Sequence, residues 1–392
     1  MNDDGTIMNK LKKGCAVRGT GYYGAKCTYL LGKAGIEIKY YISKNKGVET
    51  FRGKEIHDKN DDNLYIIVAT SQNVYLEIAD ELRGGGKREF DDFIYYEWLF
   101  KELVLLHGNC HMGIIKEFLL SSDKFQSRYT IYPYPLLVSD TREFRTEQEI
   151  FKNIDVWIHQ DIRRNNSFGF EVSDEYIRQY VRPGILEIIV PHMYGIGRML
   201  FPQSIELDGN EALNNGTDID GMFLHGDKVI EECIDRGMDI NNIIEFCKSD
   251  NALKEDEIRE NFDVYMNKLK EREKSWEIKI VDFIESNYRI EKLFYDDGHP
   301  TNCVMKQIAV EILQKLQIEE QQIYCEMKMD THEKYVYPIV RKVLGLQWAD
   351  EEIRKGGRKL AEHMDFEEYV REYCWWRHMD KFQIKHVEST FP

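Results

Sequence analysis

Four consecutive apolar residues, Leu103-Val104-Leu105-Leu106, run into His107-Gly108-Asn109-Cys110-His111, after which apolar residues recur at helical spacing at Met112, Ile115 and Leu119. A buried strand that stops at a Gly-Asn-Cys turn and restarts as a helix constrains the chain strongly. It implies a parallel sheet with the turn at its carboxyl edge, where open α/β sheets place their sites. It also sets Cys110 at a helix start, where unpaired N–H groups and the helix dipole favour a thiolate. A late stretch, Leu293-Phe294-Tyr295-Asp296-Asp297-Gly298-His299-Pro300-Thr301, supplies an Asp-x-x-His pair. Cysteine on one loop and Asp-x-x-His on another are the parts of nucleophilic catalysis: His299 removes the thiol proton and Asp296 fixes the imidazole tautomer. Asp297 is the rival orienter. His107 and His111 flank the cysteine, but no further ligands follow at zinc-like spacing, so no metal is expected.

The rest of the chain fits an α/β architecture in three parts. Residues 1–100 read as a small Rossmann-like domain. Gly14 to Arg18 is a strand, Gly19-Thr20-Gly21-Tyr22-Tyr23-Gly24 opens a helix through Lys33, and Gly35–Ile42 and Leu64–Ala69 are further strands. Gly19, Gly21 and Gly24 form a candidate nucleotide or phosphate loop. A dinucleotide site wants an acid after the second strand, and Ser43-Lys44-Asn45-Lys46 has none, which argues against NAD or NADP. Residues 101–325 form the expected catalytic domain, with strands at Tyr129–Tyr134, Asp155–Gln160 and Gly184–Val190. A charged helical region follows from about 220 to 290. Asp218-x-Asp220-Gly221 lacks the remaining spacing of a calcium loop. Thr301 is the expected N-cap of a closing helix whose buried stripe is Val304, Ile308, Ile312 and Leu316. Residues 326–392 read as a helical extension, a cap or oligomer contact.

Composition narrows the function classes. The formal charge of −16 argues against a nucleic-acid partner, and no apolar run approaches the 18 residues of a membrane span. Eight cysteines without a C-x-x-C pair, behind a polar start carrying Asp3 and Asp4, suggest free thiols in a reducing, cytoplasmic setting. An anionic small ligand then needs a local basic pocket. Arg163, Arg164 and Arg198 are candidates for cofactor phosphates, since guanidinium binds phosphate in bidentate fashion. Gln160, with the Cys110 backbone N–H or with Asn109, is a candidate for stabilising an oxyanion.

Gly108-Asn109-Cys110, Gln160, Pro191-His192-Met193-Tyr194, Lys270-Glu271-Arg272-Glu273 before Ile280–Ile284, and Leu293 to Thr301 occur in the order seen in the WcbI polysaccharide-biosynthesis family. The resemblance spans about 103–318. It implies a divergent SGNH-hydrolase-like, three-layer α/β domain, with Gly-Asn-Cys in place of Gly-Asp-Ser and Asp296-x-x-His299 as the closing motif. It also implies coenzyme A or acetyl-coenzyme A as cofactor and a sugar or polysaccharide precursor as partner. The chain departs from the family at His111, where the family has glutamine, a position expected to help bind the cofactor. The expected activity is acyl transfer, most simply acetyl, from coenzyme A to a sugar hydroxyl of capsular or other surface polysaccharide. The alternatives are a glycan esterase built on the same residues, a nicotinamide oxidoreductase using the glycine loop, and a non-catalytic module within a glycan-assembly complex. Association with such enzymes, or a homo-oligomer, is compatible with the helical extension.

Overall fold

The computed structural model describes residues 6–44, 49–60, 64–138, 148–206, 223, 225–329, 333–348, 352–355 and 362–378. Asn45-Lys46 and Asp218-x-Asp220-Gly221 lie outside them. The protein is a mixed α/β chain that packs as two compact units: residues 1–109 with 123–188, and residues 110–122 with 189–392. The units follow contact rather than the expected divisions at 100 and 325, whose standing as separate folding domains is a proposal.

The first unit holds two sheets. In the first, β1 (Cys15–Arg18), β2 (Ile38–Ile42), β4 (Lys54–His57), β5 (Tyr65–Val68) and β6 (Phe93–Tyr95) are parallel, and the short β3 (Thr50–Phe51) pairs antiparallel with β4 at the edge. The spatial order β3-β4-β2-β1-β5-β6 gives the parallel strands the doubly wound order 3-2-1-4-5. The second sheet runs β10-β9-β7-β8, made of β7 (Glu102–His107), β8 (Tyr129–Ile131), β9 (Val156–His159) and β10 (Leu186–Ile189). That is the other common doubly wound order, 2-1-3-4, and its switch point lies between β7 and β9, which pair in parallel from Val104↔Val156 to His107↔His159. β3, β4 and β6 have no counterpart in the sequence reading. They are too short to show a period, and β4 lacks a buried face.

One continuous core serves both sheets. Tyr75, Phe90, Trp98 and Leu99 pack in the same cluster as Leu103, Leu105, Tyr132, Phe151 and Trp157. Polar ties reinforce it: Tyr75 and Tyr132 both donate to the buried Glu89 carboxylate, and Gln72 Nε2 donates to the Ile131 carbonyl at 2.8 Å. Burying side chains of this size at about 25 cal/mol per Å² makes this cluster a principal source of the unit's stability.

The second unit is mainly helical. The helix Cys110–Leu120 packs against Asn302–Lys315, whose Val304, Ile308 and Ile312, with Leu316 just beyond, are buried as the stripe predicts. Thr301 stands at the N-cap position, but its hydroxyl donates to the Lys292 carbonyl at 2.9 Å and leaves the helix uncapped by a side chain. The charged region resolves into Lys228–Asp235, Ile240–Lys248, Glu255–Glu273 and Val281–Asn287. Beyond 330 the chain is not purely helical: Ile353–Arg354 and His363–Met364 form an antiparallel pair between helices Pro338–Leu344 and Phe366–Arg377. Among the described residues no helix is long and apolar enough to cross a membrane.

Candidate active site

Gly108 and Asn109 follow β7, and Cys110 is the first residue of the next helix, half-buried. In the first unit the turn is fixed from the neighbouring strand. The Gln160 side chain, fully buried just after β9, accepts the Asn109 backbone N–H at 2.9 Å, while the Gln160 N–H donates to the His107 carbonyl at 3.0 Å. The Asn109 N–H is therefore already engaged. Behind Gln160 lies a charged group that the sequence reading missed. His159 is fully buried, stacks on Trp157 at 3.8 Å, and sets Nδ1 2.9 Å from the Gln160 carbonyl and Nε2 2.9 Å from Glu187 Oε1. Burial opposes its charge, but hydrogen bonds to the Asp174 and Glu187 carboxylates outweigh that and raise its pKa to about 9. A strand residue whose neighbours in space are 15 and 28 positions away gives no local signal.

In the second unit, Asp296 and His299 close on Cys110. Asp296 Oδ1 accepts the backbone N–H groups of Gly298 and His299, each at 2.8 Å, and the carboxylate holds His299 Nδ1 at 2.8 and 2.9 Å. With Nδ1 on Asp296, Nε2 is the nitrogen left for the thiol, and Cys110 hydrogen-bonds His299. Burial pushes the imidazolium down. The hydrogen bonds and charges of Asp296 and Cys110 overcome it, so the pKa of His299 is raised to about 10. Asp296 is thus the orienter and Asp297 faces elsewhere: its buried carboxylate accepts from Arg198 Nε at 2.9 Å and Ser204 Oγ at 2.6 Å.

The other expected residues divide by exposure. His111 is 2% exposed, and its Nε2 lies 3.1 Å from the Gly298 carbonyl, a bond that ties the Cys110 helix to the His299 loop. Burial, then the charges of His299 and His192, push its pKa down to about 3, so His111 is a neutral donor there. His107 is likewise neutral and buried, against Trp157 and Tyr134. Arg198 is turned inward to Asp297, with Glu206 at 3.3 Å. Arg163 and Arg164 are exposed in the first unit, Arg164 pairing with Glu175 at 2.9 Å. Among the described residues no three His, Cys, Asp or Glu side chains are grouped to hold a metal ion.

The His299 loop is packed tightly. A Cβ on Gly197 would fall 2.1 Å from the Asp296 carbonyl oxygen, and one on Gly298 would fall 3.0 Å from the Tyr194 ring. Arg272 Nη1 donates to the Tyr194 carbonyl at 3.0 Å, with His192 at 3.3 Å. The sequence signal for these residues was their place in the Pro191–Tyr194 and Lys270–Glu273 motifs, without a role attached.

The glycine loop is held by close backbone contacts. Gly19 adopts φ +133°, and a Cβ there would meet the Ala69 carbonyl oxygen at 2.3 Å; Gly24 is equally close to Gly19, whereas Gly21 faces open space.

No curated protein matches the chain. A solved structure of WcbI, described as a novel polysaccharide biosynthesis enzyme in a native form without a disulfide bond between coenzyme A and a cysteine, is similar over 71% of this chain and 90% of its own. The two share 19% identity at a TM-score of 0.60, which shows a common fold. Residues 103–321, more than half of the chain and all of the Cys110, Asp296 and His299 constellation, match the polysaccharide biosynthesis enzyme WcbI family, and the chain belongs to that family.

Proposed function

We propose that the protein transfers an acyl group, most simply acetyl, from coenzyme A to a sugar hydroxyl during assembly of capsular or another surface polysaccharide. The observation that carries this reading is the hydrogen-bonded line Cys110–His299–Asp296. A thiol on an imidazole that a buried carboxylate orients is an activated nucleophile, and a thioester donor suits it because one thioester is exchanged for another. The WcbI structure, described as a form without a disulfide bond between coenzyme A and a cysteine, supports coenzyme A as the carrier here.

The Cys110 thiolate attacks the thioester carbonyl carbon. The carbon–sulfur bond to coenzyme A breaks, and the leaving thiolate takes the proton of the His299 imidazolium. His299, now neutral, accepts the sugar hydroxyl proton as that oxygen attacks the acyl-cysteine. The ester leaves, and the thiolate and imidazolium are restored. Asp296 stays ionised throughout. Gln160 and Asn109 are our candidates for the oxyanion through their side-chain amides. Arg163 and Arg164, at the surface, remain our candidates for cofactor phosphates, whereas Arg198 is held by Asp297 and His111 by the Gly298 carbonyl. We further propose that the second sheet is SGNH-like and the first Rossmann-like, and that the enzyme works in the cytoplasm.

Incubation with acetyl-coenzyme A followed by peptide mass spectrometry tests the chemistry. A single acetyl group on Cys110, discharged on adding acceptor glycan with ester formed in equal amount, is the expected result. Discharge to free acetate at the same rate with or without glycan identifies an esterase instead. Absence of acetylation at Cys110, with turnover intact, removes the covalent step.

A further inference from the structure

The family match ends at residue 321, yet the loop carrying His299 is held in part by residues that come later. The chain returns at 333–337 and lies along that loop. The Lys334 N–H donates to the Tyr295 carbonyl at 2.8 Å, one residue before Asp296. Its side chain, only 7% exposed, sets the ammonium 3.2 Å from Asp297 Oδ1 and donates to Ser204 Oγ. Ser204 in turn donates to Asp297, and the Asp297 carbonyl accepts the Gly197 N–H at 2.9 Å. Lys334, Arg198 and, at 3.8 Å, His225 face Asp297, with Tyr194 and Tyr369 in its field; Asp296, Cys110 and His111 face His299.

The returning segment is itself fixed at several points. The Glu333 N–H donates to the Arg354 carbonyl at 3.0 Å, and its carboxylate bridges Arg354 and Lys292, each at 2.9 Å. Gln203 Nε2 donates to the Tyr335 carbonyl, and the Tyr337 hydroxyl to Asp227, each at 2.9 Å. Taking an ammonium out of water is costly unless its partners compensate. Here the ammonium's partners are the Asp297 carboxylate, just after Asp296, and the Ser204 hydroxyl, while the Lys334 backbone N–H reaches the Tyr295 carbonyl just before Asp296.

Resting on the reading of Cys110, His299 and Asp296 given above, we infer that Lys334 is a positioning residue of the active site, which the C-terminal extension supplies to align the Asp296–His299 loop with Cys110. The extension thereby completes the site rather than only covering it. Its lysine side chain acts through Asp297 and Ser204, beside the backbone tie to the Tyr295 carbonyl, and touches no reacting atom.

The test is the rate of Cys110 acetylation by acetyl-coenzyme A in the full chain, followed by mass spectrometry across pH 6–9 and acetyl-coenzyme A concentration. In Lys334→Met the maximal rate should fall about tenfold, with the half-saturating concentration unchanged, because alignment and not cofactor binding is lost. Its pH dependence should also differ from that of the wild type, since the imidazole no longer serves the thiol from the same position. Lys334→Arg should restore most of the rate. Ser204→Ala, a milder lesion should Lys334→Met fail to fold, should show a smaller loss of the same kind. A Lys334→Met or Ser204→Ala protein that acetylates with the wild-type rate and pH dependence overturns the inference. So does a loss that follows only a lowered melting temperature and is shared by Lys334→Arg. If wild-type Cys110 never acquires the acetyl group, the catalytic reading falls and this inference with it.

Discussion

The molecule builds the same local device twice and arms it once. The Gly19–Gly24 loop and the Gly108–Cys110 turn both leave a parallel strand and enter a helix, each beside the switch point of a doubly wound sheet. The first is held by backbone fit: Gly19 against the Ala69 carbonyl, and Gly24 against Gly19. The second is held by side chains, Gln160 on the Asn109 N–H with His159, Asp174 and Glu187 behind it, and its helix begins with a cysteine bonded to a histidine 189 positions later. A strand–turn–helix junction therefore makes a place for chemistry. What fills the place is settled by residues far away in the chain.

The largest effects should fall on the armed turn. Cys110→Ala should cost acyl transfer about 10,000-fold or more, since no nucleophile remains, while His299→Ala should cost roughly 100- to 10,000-fold. Gly21→Ala should leave transfer from acetyl-coenzyme A unchanged in the same assay. Equal losses at Cys110 and Gly21 would break the contrast. The next effect belongs to the glycine loop and is one of stability. Gly19→Ala places a Cβ against a backbone oxygen at a positive φ and should destabilise by about 2–4 kcal/mol in a denaturant titration. Gly21→Ala should cost under about 1 kcal/mol.

The smallest effect separates fit from charge. His159 has its pKa raised to about 9 against an ordinary 6.5, so its contribution is complete below pH 6.5 and is lost as pH rises through 9. His299, raised to about 10, extends the same trend upward. The melting temperature should fall between pH 7 and 9.5, and His159→Asn should start lower and fall less over that range. A variant whose decline matches the wild type would show that His159 is not the charge being titrated.

Much of this was legible because it is local. Leu103–Leu106 breaking into Cys110, and Asp296 three residues before His299, carry their geometry in their spacing. So does the stripe from Val304 to Leu316. What escaped is what spacing cannot carry. The partner of Asp297 is Arg198 rather than His299, and that depends on how two loops cross at Gly197, a contact between positions a hundred residues apart. His159 reads as one more residue in an apolar run, because Glu187 and Asp174 reach it from another strand and a short helix. Lys334 sits in a stretch without any pattern of its own. Even Thr301, correctly placed at a helix start, donates its hydroxyl proton to the Lys292 carbonyl nine residues back and accepts no N–H of the helix.

The core shared by the two sheets has a consequence for heredity. Trp98 and Phe90 lie over Tyr132, and the cluster continues through Leu103 and Trp157. A gene shortened to start at the second sheet would turn those side chains toward water. Any relative that does without the first hundred residues must then carry polar side chains at these positions or cover them with another segment. Gain or loss of the front sheet is written into the surface of the sheet behind it, and residues 103, 132 and 157 are where to look.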